Sequence, residues 1–306
     1  MTLLSNQNAR RRKDREIQRI INKSERNRAF SKQNLASTLL TGYFPMVLAF
    51  ALIALPLLWM ALSSFKPVAE IVTLNPSLLP QNGTMENYAQ VAARVPLERL
   101  FMNSLIVTIV GTLIKLTLAI TSAYALVFID FKWKNVFFMA ILVALMVPPE
   151  AALLPNYMTI SALGGRNTLW GIILPGLGTA FGTFLLRQQN KTLPIELMEA
   201  AELDGAGHWR KLWQIVVPVT TPTIATVALI TVVGEWNSFL WPLVITDSPS
   251  RMTLPVGLNM LQSIESDTGS FGVLMAGAVL VILPVLILFA FLQRYIVAGL
   301  TQGAVK

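Results

Sequence analysis

With 306 residues, 54% of them hydrophobic and only 13% charged, and a mean hydropathy of +0.59, the chain has too little polar surface for an ordinary soluble domain and belongs in a bilayer. It holds no cysteine, which excludes disulfides, thiolate metal sites and cysteine nucleophiles, and its single histidine, His208, is poor material for a zinc or Ser-His-Asp centre. Ten of the 24 basic residues behind the net charge of +8 precede residue 39, immediately before an apolar segment, a placement that suits anionic lipid and control of topology and gives no reason to expect nucleic acid.

Residues 1–38 are polar and basic, and the run from Asp14 to Arg28 is compatible with a helix on the membrane surface. The first apolar segment, 39–64, is longer than the core of a cleavable signal peptide and is expected to stay as an anchor. Together with 103–128, 136–157, 168–187, 219–246 and 272–293 it makes six segments long enough to cross a bilayer, so the expected fold is all-α and polytopic. With the N-terminus inside, eighteen Lys and Arg flank the spans on the cytoplasmic side against five outside, which places both termini and the loop after the fourth span in the cytoplasm.

Residues 39–98 are read as the first span and an outer loop. Asn75, Pro76, Pro80 and Gly83 mark that loop, 65–102, as a short excursion without a core of its own. A second outer loop, 247–271, carries Asp247, Pro249, Pro255, Glu265 and Asp267. The two are either simple connectors or parts of a platform for an external partner.

Polar groups inside spans are expensive, and each is a functional candidate. Lys115 sits about twelve residues from either end of the second segment, too deep to snorkel. Glu235 is a possible partner, and Lys115 is read either as half of a structural ion pair or as a substrate contact. Pro148 and Pro149 interrupt the third segment, a break tolerable only in protein or beside a cavity. Glu150, Asn156 and Tyr157 follow it, and Glu235, Trp236 and Asn237 occupy the fifth segment. Aromatic faces with amide and carboxyl groups suit polyols, which offer apolar C–H faces and hydroxyl edges. These same side chains also serve for packing, and both readings stay open.

Between the fourth and fifth segments lies a partly charged stretch, 194–217. Pro194 opens a short helix, Glu199 to Leu203 continue it, and Gly205 takes the left-handed conformation of a sharp stop. Trp209, Leu212, Trp213 and Val216 then form one apolar face of a second helix, suited to the membrane interface. His208 is expected to be an ordinary exposed residue. Taken alone, the stretch is either a docking element or an amphipathic connector.

The spacing of Glu199-Ala200-Ala201, Gly205, Ile215 and Pro218 resembles the EAA loop of permease subunits in binding-protein-dependent ABC importers, with Val217 in place of the usual Leu. The likeness extends from about Arg99 to the C-terminus, and Glu235 to Pro242 and the ending Gly303 to Lys306 are similar to the carbohydrate branch, the maltose-type smaller permease. The resemblance implies a type-1 transmembrane domain over 99–294, a cytoplasmic tail over 295–306 that reaches an ATPase interface, and a coupling helix in which Glu199, Ala200, Ala201, Asp204, Gly205 and Ala206 engage a cytoplasmic ATPase. It implies as partners a second homologous permease, two ATPase subunits and an extracytoplasmic solute-binding protein, in a bacterial-type inner membrane. No Gly-Lys dipeptide occurs, so the Walker A phosphate cradle is missing, no cofactor is expected, and ATP hydrolysis falls to the partners. From the residues alone, an ion-coupled transporter or channel using Lys115 and Glu235 as a relay is the alternative.

Overall fold

A computed structural model of the chain describes residues 38–71, 73, 77–264 and 271–301. The basic N-terminal run, Glu265, Asp267 and the tail from Gly303 to Lys306 lie outside the described residues. The described residues form helices and no strands.

The first apolar segment folds as a turn of π-helix, Thr38–Tyr43, leading into α1, Phe44–Ser63. Up to Met60 it forms a unit of its own. Phe50, Leu52, Ile53 and Leu58 are all exposed, and a helix that is apolar all round is stable only with lipid or protein against it.

The second unit, Ala61–Lys306, is built around α3, Leu97–Phe128. At 1.5 Å per residue this helix is long enough to cross the hydrocarbon and both headgroup layers. It packs on α7, Ala180–Asn190, and α9, Val217–Trp236, and α9 packs in turn on α12, Phe271–Thr301. Among the described residues four helices are long and apolar enough to span a membrane, and the number is six if each of two bent helix pairs is one span.

The break expected in the third segment is present, and the fourth segment, expected to be continuous, is bent as well. In the third segment α4, Lys134–Leu145, is followed after a 98° turn by a 3-10 turn, Pro149–Ala152, and α5, Leu153–Ala162. Pro148 sits at φ −64° and ψ 134°, an extended geometry that the following Pro149 enforces. The fourth segment bends by 45° between Leu169–Gly176, whose helical part is α6, Leu169–Ile173, and α7. Here Thr179 begins the new helix by accepting a hydrogen bond from the Gly182 amide at 3.2 Å.

The fifth span is shifted relative to the expected 219–246. It begins at His208, passes through a π-helical turn at Leu212–Val216 just before Pro218, and ends at Trp236. Proline has no N–H to offer the preceding turn, which accounts for the widened backbone. After a break at Asn237, a separate short helix, α10, covers Leu240–Ile245.

The outer loops also depart from expectation. The loop 65–96 contains α2, Glu86–Arg94, whose Val91 is fully buried with Leu100, Trp236, Leu254 and Val273. The other loop contributes α11, Leu254–Ile264, to the same cluster. Amide side chains hold the backbone around it. Asn87 Nδ2 donates to the carbonyls of Ser64 at 2.8 Å and Lys66 at 2.9 Å, and Asn103 Nδ2 to those of Ser250 at 3.0 Å and Met252 at 2.9 Å. The Ser104 hydroxyl accepts from the Leu254 amide at 2.7 Å. A packed cap therefore stands where the turn residues suggested a coreless excursion. The proline and glycine signals lie within the loop just before α2, and they concealed its apolar face.

Candidate functional site

The stretch after α7 folds as α8, Ile195–Leu203, with Pro194 at its N-cap and Glu196 in its first turn, where a negative charge meets the helix dipole favourably. Its stop is a Schellman closure. Gly205 lies at φ +72°, the Gly205 amide donates to Glu202 O at 2.9 Å, and the Ala206 amide donates to Ala201 O at 2.9 Å. A side chain at Gly205 would be strained in this conformation.

Two small contacts root α8 in the bundle. Met198 joins Ala123, Tyr124, Leu186, Leu212 and Val216 in one apolar cluster, and Ala201 is buried beside it. Glu199, Ala200, Asp204 and Gly205 stay exposed, and Ala206 is half-buried. The sequence did not single out Leu203, which is 91% exposed, or Ile195, which is 56% exposed. Nothing in the helical periodicity separates such residues from core-facing ones, because the helix is only nine residues long.

The expected apolar stripe on the following helix splits in two. Leu212 and Val216 are buried, while Trp209 and Trp213 stand on the exposed side with ring centroids 5.6 Å apart, edge to face. Lys211 is buried and donates to Glu202 Oε2 at 2.8 Å. That hydrogen bond, then the lysine charge, holds the Glu202 carboxyl below its ordinary pKa. His208 is exposed as expected, yet its Nδ1 lies 3.1 Å from the Tyr124 hydroxyl of α3. The short helix is thus fastened to the base of the fifth span and to α3 by named side chains.

Within the bilayer part, Lys115 and Glu235 form an ion pair between α3 and α9. Glycines make the room for it. A Cβ at Gly111 would come within 3.2 Å of Glu235 Oε2, and one at Gly176 within 3.1 Å of Lys115 Nζ. The pair borders a cavity of about 480 Å³ that also receives Glu150, Asn156, Ser238 and Trp241. The break at Asn237 is what turns Ser238 and Trp241 toward that space. Trp241 is oriented by donation from Nε1 to Ile172 O at 3.1 Å.

Three of the expected path residues are brought together here, Glu150, Asn156 and Glu235. The other three do not line the cavity. Tyr157 packs on the cluster of Val107, Ile160, Ile172 and Ile245. Trp236 is buried, donates from Nε1 to Val281 O at 2.9 Å, and meets the Phe101 ring edge-on. Asn237 donates back to Val233 O of its own helix at 2.9 Å. Residue type along a helix does not report which face lines a space. The helix break that exposes Trp241 was the signal to follow.

At the far end of the bundle, Arg166 clamps Asp247 through Nε to Oδ2 at 2.8 Å and Nη2 to Oδ1 at 3.0 Å. The bidentate bond lowers the Asp247 carboxyl pKa. Asn167 adds its Oδ1 as acceptor for the Asp247 and Ser248 amides, both at 3.2 Å.

The sequence profile described as "Binding-protein-dependent transport system inner membrane component" matches residues 115–302. An arabinooligosaccharides transport system permease protein of Halalkalibacterium halodurans is 36% identical over 268 residues, 85% of this chain and 95% of that protein. An sn-glycerol-3-phosphate transport system permease protein of Brucella suis is 33% identical, over 86% of this chain and 96% of its own length. Among solved structures, a bacterial ABC transporter involved in the import of the acidic polysaccharide alginate has a chain that superposes with a TM-score of 0.73 at 25% identity, covering 85% of this chain and 97% of that one. A second, the alginate ABC transporter in complex with a pentasaccharide-bound periplasmic protein, shares the fold at a TM-score of 0.63 and 13% identity, over 86% of this chain and 95% of that one. The chain belongs to the family of inner membrane components of binding-protein-dependent transport systems, and is a transport permease subunit.

Proposed function

We propose that the chain forms half of the translocation path of an ATP-driven importer for a sugar, oligosaccharide or related polyol such as a glycerol phosphate compound. The substrate class rests on the permeases for arabinooligosaccharides and glycerol 3-phosphate that it resembles. A second homologous permease completes the path, two ATPase subunits bind on the cytoplasmic side, and a solute-binding protein docks outside. The excess of Lys and Arg around the α8 end supports a cytoplasmic position for that end and for both termini.

The observation that carries the reading is α8 itself: a short helix, anchored inward by Met198 and Ala201, that leaves Leu203, Ile195, Glu199 and Ala200 exposed. ATP binding closes the ATPase pair, α8 moves with it, and the contacts from Met198 to Leu212 and from Glu202 to Lys211 carry the displacement into α9. The Lys115–Glu235 pair joins α9 to α3 farther along, beside the cavity read as the sugar path. Because the two charges satisfy each other, they are read as a structural tie within the moving helices and the nucleotide-free relay has no support.

The test uses Leu203→Asp and Glu199→Lys in the assembled, reconstituted transporter. Uptake and ATP turnover stimulated by the loaded binding protein should both fall, with the subunit still present in the membrane. Unchanged uptake and turnover in both variants would show that α8 is not the docking element.

A further inference from the structure

Between α8 and the ends of four membrane segments lies a second cavity, of about 790 Å³. Its walls carry the basic side chains Lys134, Arg187, Lys191 and Lys211 against the carboxylates Glu199 and Glu202. Two of the four cations are already engaged. Lys134 Nζ donates to Val127 O at 2.8 Å, and Lys211 is taken by Glu202. Arg187 is different. It is only 6% exposed, its Nε has no hydrogen-bond partner, and among the described residues no carboxylate pairs with it. Its guanidinium carbon lies 3.6 Å from the Phe138 ring centroid, a cation–π contact that offsets only part of the cost of removing the charge from water.

The depth of this cavity is fixed by the helices around it. α3 ends at Phe128, α4 starts at Lys134, α7 ends at Asn190 and the fifth span starts at His208. Exposed Trp133 immediately precedes α4, and exposed Trp209 and Trp213 lie in the first two turns of the fifth span, the helix ends where tryptophan favours the boundary of hydrocarbon and water. That is the layer in which phospholipid phosphates lie.

We infer that this cavity binds the phosphate of an anionic phospholipid, with Arg187 as the buried counter-charge and Lys191 at its exposed rim. A planar guanidinium suits phosphate oxygens, and the cationic surround disfavours a choline headgroup. The site places a lipid between α8 and the bundle. It depends only on insertion in a membrane, so the outcome is separable from whether α8 meets an ATPase.

The full-length chain, purified in detergent and stripped of lipid, is titrated with dioctanoyl phosphatidylglycerol, dioctanoyl phosphatidylcholine and inorganic phosphate, and retention is read by native mass spectrometry. Phosphatidylglycerol should be retained best. Lys191→Gln should weaken it roughly fivefold, on the order of what one basic side chain contributes near an anionic surface. Arg187→Met, which keeps the stack on Phe138, should weaken it more. Equal retention of the two lipids, or equal retention by the parent and both variants, overturns the site. Displacement of the lipid by inorganic phosphate at equal concentration overturns the lipid source. If Arg187→Met fails to accumulate, the exposed Lys191→Gln decides the matter, with thermal unfolding as the check on folding.

Discussion

The two ends of the bundle solve the same problem in opposite ways. At the cap end, loops 65–96 and 246–264 run into the core, where Val91, Leu254 and Val273 are buried together, and Asn87 and Asn103 each hold two backbone carbonyls. At the α8 end a single short helix is held by a few contacts, Met198, Ala201 and the Glu202–Lys211 bond, and leaves Leu203 in solvent. A cap with a shared core and a backbone held by buried amides resists displacement. An element with few anchors can be pushed as a unit. Under the proposed function, the contrast sets a platform against a lever.

Asn103→Leu is the largest expected break in this contrast. It leaves the Ser250 and Met252 carbonyls without their donor, the buried Met252 bond alone worth about 1–3 kcal/mol, and should lower the unfolding temperature of the purified subunit by several degrees. A variant as stable as the parent would mean the cap is not held by its amides.

Gly205→Val comes next. A β-branched residue at φ +72° costs about 1–2 kcal/mol and reopens the closure of α8. Stimulated ATP turnover should fall further than the unfolding temperature does, because the strain is local to the lever. A loss of stability with full turnover would contradict that assignment.

The smallest effect concerns acid. Glu202 has its pKa lowered in the fold by Lys211, so its contribution is complete above the ordinary carboxylate value of 4.5 and is lost as pH falls through the lowered one. Glu202→Gln should remove that acid-side dependence while leaving neutral-pH assembly nearly unchanged, since the carboxylate is exposed on one side and screened by solvent. Thermal melts of both proteins between neutral pH and acid measure it.

The amino-acid sequence determined what depends on local chemistry. Long apolar runs fixed the number of crossings, the pairing of Pro194 with Gly205 fixed the limits of α8, and Pro148–Pro149 announced a break in the third segment. Periodicity over so few residues could not assign faces, and a π-helical turn shifts the register of every residue after it. The Trp209, Leu212, Trp213 and Val216 stripe divided into an exposed pair, Trp209 and Trp213, and a buried pair, Leu212 and Val216, each four residues apart. Lys115 was legible as a costly charge, but only packing decided that Glu235 meets it across more than a hundred residues of chain, in space left by Gly111 and Gly176. The same holds for the cap, for the Trp241 wall of the inner cavity and for the isolation of Arg187. Each depends on which surfaces distant segments bring together, and composition along one segment carries no record of that.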